Sequence, residues 1–252
     1  MKAVQLTRGS APVLCVHGFL GEPDDWRLFA HALGPAFGVS AWALPGHGGA
    51  PVDDFVDGVR ALQRALRAMP APPHLVGYSM GGRLALAAAV DANVSLASLT
   101  IISASPGLKS GLERDTRARA DDRLADDLER QGLEAFVRTW YSQPLFASLE
   151  RRPALLHDLL SRRARGTASD RADALRALTV GRQPSMWEHL PMLNTRSLFI
   201  AGANDSKYCA TLARAAGLCP RARLLRVPDA GHLPHLERPD FVCASVREFL
   251  QP

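Results

Sequence analysis

The stretch Gly77-Tyr-Ser-Met-Gly81 decides how the rest of this 252-residue chain is interpreted. It overlaps the end of the apolar run 74–78, which reads as a strand, and precedes 82–90, which is typical of a helix. A Ser on a sharp strand-to-helix turn takes a strained backbone conformation, which small neighbours tolerate and which lifts its hydroxyl clear of the sheet. Because Gly-x-Ser-x-Gly also arises by chance in glycine-rich turns, the motif alone leaves a nucleophilic serine and an ordinary turn both open.

Short apolar runs alternate with helical patterns on both sides of this turn. Phe55, Val59, Leu62 and Leu66 recur at the spacing of one helix face. Strand, helix and strand in series predict parallel strands with helices on both faces of the sheet. Strands are expected at 11–16, 39–44, 74–78, 96–102, 197–201 and 222–227, and further helices at 206–216 and 240–250.

The interval 109–185 differs from its surroundings. It has no strand-like alternation, and it contains helical patterns such as Leu124 to Leu128 and Leu155 to Leu160. We interpret it as a helical cap inserted between two halves of the sheet, with a helical surface decoration as the alternative. The predicted organisation is an α/β core, 1–108 and 186–252, with a cap insertion, 109–185.

Composition excludes several classes of protein. The formal charge of +5 comes from Arg dispersed among acids, and aromatic residues make up only 6% of the chain, so nucleic acid is not an expected partner. No apolar run approaches the roughly 20 residues that span a bilayer, and the first ten residues lack the pattern of a signal peptide. We therefore expect a cytoplasmic protein without membrane association, either a monomer or a homo-oligomer.

The four cysteines are widely scattered and include no Cys-x-x-Cys pair. Neither a zinc site nor a disulfide framework is indicated, and the cysteines are expected to be reduced packing residues. No metal and no cofactor is predicted.

A serine hydroxyl needs an imidazole to accept its proton, and the imidazole needs an acid to fix its tautomer. Ser79 therefore predicts an acid and then a His further along the chain. Asp205 follows the strand 197–201 and His232 follows the strand 222–227, so both lie past the carboxyl ends of strands, where sites in parallel sheets collect.

Each of these residues has an alternative. Asp205 could simply cap the helix that begins near Ser206. Asp229 is a rival acid, but it lies on the same short turn as His232 and is poorly placed to reach the imidazole. His235 is a rival base close to the final helix. We favour Asp205 and His232, and we expect His31, His74, His157 and His189 to be surface or packing residues.

Two backbone amides could form an oxyanion hole. One is the N–H of Met80, directly after the nucleophile, and the other comes from the loop after the first main strand. The segment His17-Gly-Phe-Leu-Gly21 fits that loop, with Phe19 as the second donor. His17 is then structural, and His47-Gly48 is expected to shape a neighbouring turn.

Arginines suggest an anionic substrate. Arg83 lies one helical turn after Ser79 and shares its helix face, where its planar guanidinium could bind a carboxylate. The alternative is an outward, solvated Arg83. Further arginines cluster in the predicted cap, at positions 114, 117, 119, 162, 163 and 165.

Over nearly its whole length, the chain resembles the 2-succinyl-6-hydroxy-2,4-cyclohexadiene-1-carboxylate synthase family of menaquinone and phylloquinone biosynthesis, which has the α/β-hydrolase fold. The cap motifs are the specific part of this resemblance, because other enzymes of the fold share only the serine turn, the His-Gly loop and the triad. The matching segments are His17-Gly-Phe-Leu-Gly21 with Trp26, Leu44-Pro-Gly-His-Gly48, Gly77-Tyr-Ser-Met-Gly-Gly-Arg83, Ser105-Pro-Gly-Leu108, Arg114 with Arg117 and Asp121, Trp140-Tyr141 with Pro144, Phe146 and Ser148, Gly181-Arg-Gln-Pro184 with Trp187, Asp205-Ser-Lys207 and Ala230-Gly-His232.

The resemblance implies a lyase that removes a proton from a cyclohexene dicarboxylate and expels pyruvate from its enolpyruvyl ether. Ser79, activated by His232 and Asp205, would be the base, and the N–H groups of Phe19 and Met80 would hold the developing charge. Matching positions imply that Arg83, Arg117 and either Arg162 or Arg163 bind the three substrate carboxylates, with Arg163 favoured by its spacing from Gln183. Tyr78 and Trp140 would shape the pocket.

Two other functions stay open from the sequence. One is a serine hydrolase that cleaves a carboxylic ester or a carbon–carbon bond in an anionic substrate. The other is a catalytically silent, ligand-binding member of the fold, which the complete set of triad residues disfavours.

Overall fold

A seven-stranded sheet lies at the centre of the computed structural model, which describes residues 3–91 and 93–251. Its strands are β1 Ala3–Gln5, β2 Ala11–Val16, β3 Phe37–Trp42, β4 His74–Tyr78, β5 Ser98–Ile102, β6 Ser197–Gly202 and β7 Ala222–Val227. They lie in the order β1-β3-β2-β4-β5-β6-β7, and only β1 runs antiparallel to its neighbour. The carboxyl ends of the six parallel strands therefore meet at one edge of the sheet.

Helices cover both faces of this sheet. The helices are α1 Arg27–Leu33, α2 Phe55–Arg67, α3 Ser79–Ala89, α4 Gly111–Gln131, α5 Leu133–Tyr141, α6 Pro153–Arg163, α7 Ala168–Ala177, α8 Ser206–Leu218, α9 Pro234–Glu237 and α10 Pro239–Leu250. Side chains of β2 alternate between two apolar clusters: Val13 and Cys15 face the side of α1 and α10, whereas Leu14 and Val16 face the side of α2, α3 and α8. This alternation is what a strand buried on both faces requires.

Helices are the only regular secondary structure of the predicted insertion. Every residue of 109–185 is described and none lies in a strand; the segment contains α4 to α7 and a 3-10 helix, Pro144–Arg151. We refer to 109–185 as the cap segment. Leu128 on α4 and Leu175 on α7 belong to the same apolar cluster as the β2 residues Val13 and Cys15, so the cap segment and the sheet share one core.

The sequence-based bounds are confirmed for β2, β4 and β7, and corrected elsewhere. β3 begins and ends two residues earlier than expected, because the chain leaves the sheet after Trp42 on its way to the turn at Pro45. β5 begins at Ser98 instead of position 96, and the helix after the serine turn begins at Ser79 itself. The short edge strand β1 and helix α1 were not predicted. None of the helices within 3–91 and 93–251 combines the length and apolar character that a bilayer crossing requires.

Candidate active site

Ser79 occupies the sharp turn between β4 and α3. Its φ of 49° lies in the left-handed region that non-glycine residues rarely adopt, as the motif predicts. The flanking glycines are required by close packing: a Cβ on Gly81 would lie 2.3 Å from the carbonyl oxygen of His17, and one on Gly77 would lie 2.7 Å from the Cα of Gly82. The local sequence therefore folds into a turn that presents the Ser79 hydroxyl at the carboxyl edge of the sheet.

The fold brings Ser79, His232 and Asp205 into one hydrogen-bonded chain. Ser79 Oγ lies 3.2 Å from His232 Nε2, and His232 Nδ1 lies 2.8 Å from Asp205 Oδ2. Since a carboxylate only accepts hydrogen bonds, Nδ1 carries the proton and Nε2 is left free to accept the Ser79 proton. Asp205 both contacts His232 and caps a helix. Its other carboxylate oxygen accepts from the N–H of Tyr208 at 3.1 Å and so caps α8.

The rival acid and base lie elsewhere. Asp229 is mostly exposed and pairs with Arg238 at 3.2 Å. His235 is buried, with its ring stacked on Trp26 at 5.0 Å between centroids and tilted against Tyr78 at 4.4 Å. Burial lowers the pKa of His235 to about 3, and Arg163 adds to the effect. This imidazole is therefore neutral at physiological pH and forms no hydrogen bond to the serine.

Two further histidines hold the loop that contains Phe19. His17 Nδ1 donates to the carbonyl of Gly18 at 2.8 Å, while its Nε2 accepts from the N–H of Leu44. His47 repeats the pattern: Nδ1 donates to the carbonyl of Pro45, and Nε2 accepts from the N–H of Leu20 at 2.9 Å. Each ring must be neutral to do this, and burial lowers the pKa of His17 to about 4 and that of His47 well below its ordinary value.

The amides of Phe19 and Met80 border the space in front of Ser79. Both residues line the cavity above the serine, and within the described part of the chain neither backbone N–H donates a hydrogen bond to a protein acceptor. Gly18 has no room for a side chain, because a Cβ there would lie 2.7 Å from the Tyr78 ring and 3.2 Å from the Cβ of Ser79. The two free amides are thus available for an anion that forms beside Ser79.

One cavity between the sheet edge and the cap segment contains the predicted substrate-binding side chains. Its wall includes Tyr78, Arg83, Arg117, Trp140 and Arg163 together with Ser79 and His232. Trp140 packs edge-on against the Phe19 ring at 5.1 Å between centroids. The wall carries more basic than acidic side chains, since Arg83, Arg117, Arg163 and Lys207 line it together with the single carboxylate of Asp121.

Arg83 is buried and points toward the cap segment, which excludes the solvated alternative. Its guanidinium donates to the carbonyl of Leu178 at 2.6 Å and to Gln183 Oε1 at 3.1 Å. Burial lowers the pKa of Arg83 to about 10, so the group stays charged at neutral pH. Because both partners are neutral, the positive charge of Arg83 is not compensated by them.

The other two arginines are paired with carboxylates. Arg117 Nε donates to Asp121 at 2.8 Å while the side chain remains partly exposed. Arg163 is buried and forms a two-pronged pair with Asp25, at 2.8 and 2.7 Å. Burial by itself would raise the pKa of Asp25, but Arg163 outweighs it and holds that pKa at about 2. Arg162 also contacts Asp25, yet it is not part of the cavity wall.

Several residues contribute to this site without having been predicted as site residues. Lys207 and Tyr208 line the cavity, and the Tyr208 ring lies 4.7 Å from that of His232. Gln183, which is fully buried, holds Arg83 and also donates to the carbonyl of Ser105. Lys207 belongs to the matching segment Asp205-Ser-Lys207, and the signal for Tyr208 was its position in the first turn of the helix that Asp205 caps. No local pattern indicated Asp25, whose partner Arg163 lies 138 residues away.

The fold and the serine turn define the class of this protein. The model of the alpha/beta hydrolase family matches residues 13–245, which is most of the chain. The order of Ser79, Asp205 and His232 along the chain is the order that this class uses.

Full-length relatives narrow the class. The chain is 34% identical to the 2-succinyl-6-hydroxy-2,4-cyclohexadiene-1-carboxylate synthase of Serratia proteamaculans (strain 568), over 99% of this chain and 97% of that protein. It is 32% identical to the synthase of the same name from Escherichia coli O7:K1, over 94% and 92% of the two chains. The solved structure of MenH from S. aureus superposes with a TM-score of 0.91 at 28% identity, over 98% and 96% of the chains. The chain belongs to this synthase family within the alpha/beta hydrolases.

Proposed function

We propose that the chain eliminates pyruvate from 2-succinyl-5-enolpyruvyl-6-hydroxy-3-cyclohexene-1-carboxylate and yields 2-succinyl-6-hydroxy-2,4-cyclohexadiene-1-carboxylate, a step of menaquinone biosynthesis. The observation that carries the proposal is a cationic cavity directly above Ser79, in a chain whose full-length relatives are synthases of that name. Such a cavity suits a substrate with three carboxylates. The proposed setting is the cytoplasm, with the chain acting as a monomer or homo-oligomer.

The proposed chemistry begins with proton transfer from Ser79 to His232. His232 Nε2 accepts the hydroxyl proton, Asp205 stabilises the resulting imidazolium, and Ser79 Oγ takes a proton from a ring carbon of the substrate. The electron pair of that C–H bond enters the ring as a new double bond, and the ring C–O bond to the enolpyruvyl group breaks. The enolpyruvyl group leaves with the ether oxygen as the enolate of pyruvate, takes the proton held on the His232 imidazolium and becomes pyruvate, and no acyl-enzyme forms.

The backbone amides and the arginines would have separate roles in stabilising charge and binding substrate. The N–H groups of Phe19 and Met80 would hold the negative charge that develops on a substrate oxygen as the proton leaves. Arg83, Arg117 and Arg163 would bind the carboxylates. Arg163 keeps two N–H groups beyond the three that contact Asp25 and Tyr141, so it can still donate to substrate.

The cap segment would close this site from above. Residues of α4 and α5, such as Arg117 and Trp140, form part of the cavity wall, and Thr179 and Val180 add to it from the end of the segment. A cap in this position would exclude water from the developing anion, which strengthens the hydrogen bonds from the two amides. We therefore propose that 1–108 and 186–252 form the catalytic core and that 109–185 is a substrate-binding cap.

The direct test is release of pyruvate from the enolpyruvyl substrate by the purified chain. Release is expected for the parent chain and should fall at least about a thousandfold in Ser79→Ala and His232→Ala, since members of a triad act as a unit. An aryl ester is assayed in parallel. Rapid ester hydrolysis without pyruvate would favour the serine hydrolase, and neither activity would favour the silent binding protein.

The anion-binding role is tested by removing the cavity arginines one at a time. Arg83→Ala and Arg117→Ala should raise KM about tenfold or more, because each removes a charge-assisted hydrogen bond. Arg119→Ala is the matched control, since Arg119 lies on α4 close to Arg117 but is exposed and outside the cavity. An unchanged kcat/KM in both cavity variants would contradict the proposed anion pocket.

A further inference from the structure

One carboxylate accepts hydrogen bonds from the loop on both sides of His232. This loop, 229–233, links β7 to α9 and is called the His232 loop below. Glu237 accepts the N–H of Gly231 at 3.0 Å and the N–H of Leu233 at 3.1 Å, and its side chain is fully buried. The two amides flank His232 in sequence. The Glu237 carboxylate therefore sets the position of the His232 backbone, and with it the position of the imidazole ring.

A buried carboxylate needs a cation, and here the cap segment provides it. Arg152, between the 3-10 helix Pro144–Arg151 and α6, places its Nη1 3.7 Å from Glu237 Oε2. Its Nε donates to the backbone carbonyl of Glu237 at 3.1 Å, and its Nη2 donates to the carbonyl of Asp229. Asp229 has a φ of 53°, a strained conformation that needs outside support. Arg152 thus contacts both the carboxylate and the first residue of the His232 loop.

A second residue of the cap segment packs against the His232 loop. Ser148, one helical turn before Arg152, has a buried hydroxyl 2.1 Å from the place where a Cβ on Gly231 would stand. On its other side the loop lies against β6, because a Cβ on Gly202 would be 2.1 Å from the Gly231 carbonyl oxygen. The N–H of Asn204 donates to the carbonyl of Ala230 at 2.9 Å. The His232 loop is therefore held between the cap segment and the strand that leads to Asp205.

We propose that Glu237 and Arg152 are positioning residues that align His232 with Ser79, and that Arg152 couples the seating of the cap segment to this alignment. A cap that shifts away carries Arg152 with it and leaves the Glu237 carboxylate buried without its cation, which is costly. The His232 loop then loses its support, and the proton acceptor moves away from the serine. The inference rests on the proposed function only for one of its two assays.

The test compares Arg152→Met with Arg151→Met. Arg151 is the adjacent residue, is exposed and carries the same charge, so Arg151→Met controls for the loss of a cap arginine. Two rates are measured: kcat for pyruvate release, and the rate at which diisopropyl fluorophosphate modifies Ser79, followed by intact mass. In the second reaction Ser79 Oγ bonds to phosphorus, fluoride leaves, and His232 takes the proton.

Arg152→Met should lower both rates about 10- to 100-fold with KM changed less than about twofold, the cost of a displaced catalytic group. Arg151→Met should leave both rates unchanged. Arg152→Lys keeps the positive charge but lacks the planar guanidinium, so both rates should lie between those of Arg152→Met and the parent. If Arg152→Met does not fold, Arg152→Lys is judged alone, and it should still lower both rates several-fold.

Glu237→Gln tests the other member of the pair. It should lower the same two rates, and the double variant Glu237→Gln with Arg152→Met should be no slower than the slower single variant, because the two residues act as one unit. The proposal is overturned if a folded Arg152→Met, or Arg152→Lys in its place, keeps both rates within about twofold of the parent, or if KM alone changes. Since modification of Ser79 does not involve the enolpyruvyl substrate, a parent chain that releases no pyruvate would refute the proposed function and leave this test intact.

Discussion

Replacing His235 should change how the stability of this protein depends on pH. His235 is buried against Trp26 and Tyr78, its Nδ1 has no hydrogen-bond partner within the described residues, and burial lowers its pKa from 6.5 to about 3. In the unfolded chain the imidazole takes up a proton below about pH 6.5, whereas in the folded chain it stays neutral. The unfolded state therefore binds more protons between pH 6.5 and 3, and the free energy of unfolding falls as the pH falls through this range.

The size of the effect follows from the two pKa values. At pH 7 the contribution is negligible, and at pH 5 it amounts to about 2 kcal/mol of lost stability from His235 alone. His17 behaves in the same sense, because burial holds its pKa at about 4, and His47 adds to the trend. His235 and His17 together should lower the free energy of unfolding by about 4 kcal/mol at pH 5, a large part of the roughly 5–15 kcal/mol by which domains are stable.

His235→Phe isolates the contribution of this residue, because it keeps an aromatic ring between Trp26 and Tyr78 and cannot be protonated. The free energy of unfolding is measured by urea titration at pH 5, 6, 7 and 8. Any packing cost of the larger ring shifts all four values equally, whereas the loss between pH 7 and pH 5 should shrink by about 2 kcal/mol. His31→Gln on the exposed surface of α1 is the control. If His235→Phe loses as much stability between these pH values as the parent does, the burial of a neutral His235 is not the cause.

Other substitutions should separate catalysis from stability. Asp205→Asn should cost about 10³- to 10⁴-fold in kcat for pyruvate release while keeping the α8 cap, so its melting temperature should stay within a few degrees of the parent, unlike that of Asp205→Ala, which loses about 1 kcal/mol of capping. Asp25→Asn leaves the Arg163 charge buried without its carboxylate and should destabilise the fold by about 3–5 kcal/mol in urea titrations, whereas Asp24→Asn, in an exposed pair, should cost under about 1 kcal/mol. A loss of activity in Asp205→Asn that merely follows unfolding, or equal stability of the two Asp→Asn variants at positions 24 and 25, would contradict these assignments.

Much of the fold could be predicted because its signals are local. The bounds of β2, β4 and β7 follow from apolar runs that end at turns, and the helix face of Phe55, Leu62 and Leu66 is buried as its spacing predicts. β1 was missed because three residues, largely exposed at a sheet edge, carry no periodicity. The displaced bounds of β3 have a similar origin, since hydrophobicity continues through Ala43 and Leu44 after the hydrogen-bonded ladder has ended at Trp42.

At the candidate site, too, some features could be predicted from the sequence and others could not. The order of Ser79, Asp205 and His232 and their places after strands could be read from the sequence, because the carboxyl ends of parallel strands meet at one edge. The burial and the ion pairing of the arginines could not be read from the sequence. Sequence alone left Arg83 either solvated or inward and left Arg162 and Arg163 both open, whereas the structure buries Arg83, puts Arg163 on the cavity wall and pairs it with Asp25.

The sequence by itself determined the class of fold, the serine turn and the helical nature of the cap segment, since strand and helix periodicity and glycine-dependent turns depend on neighbouring residues. Only the tertiary structure decided which charges are neutralised and which loops are held. The pairs Asp25 with Arg163 and Glu237 with Arg152 join residues 138 and 85 positions apart. Charge compensation depends on distance in space and on burial, and neither is encoded in the spacing of residues along the chain.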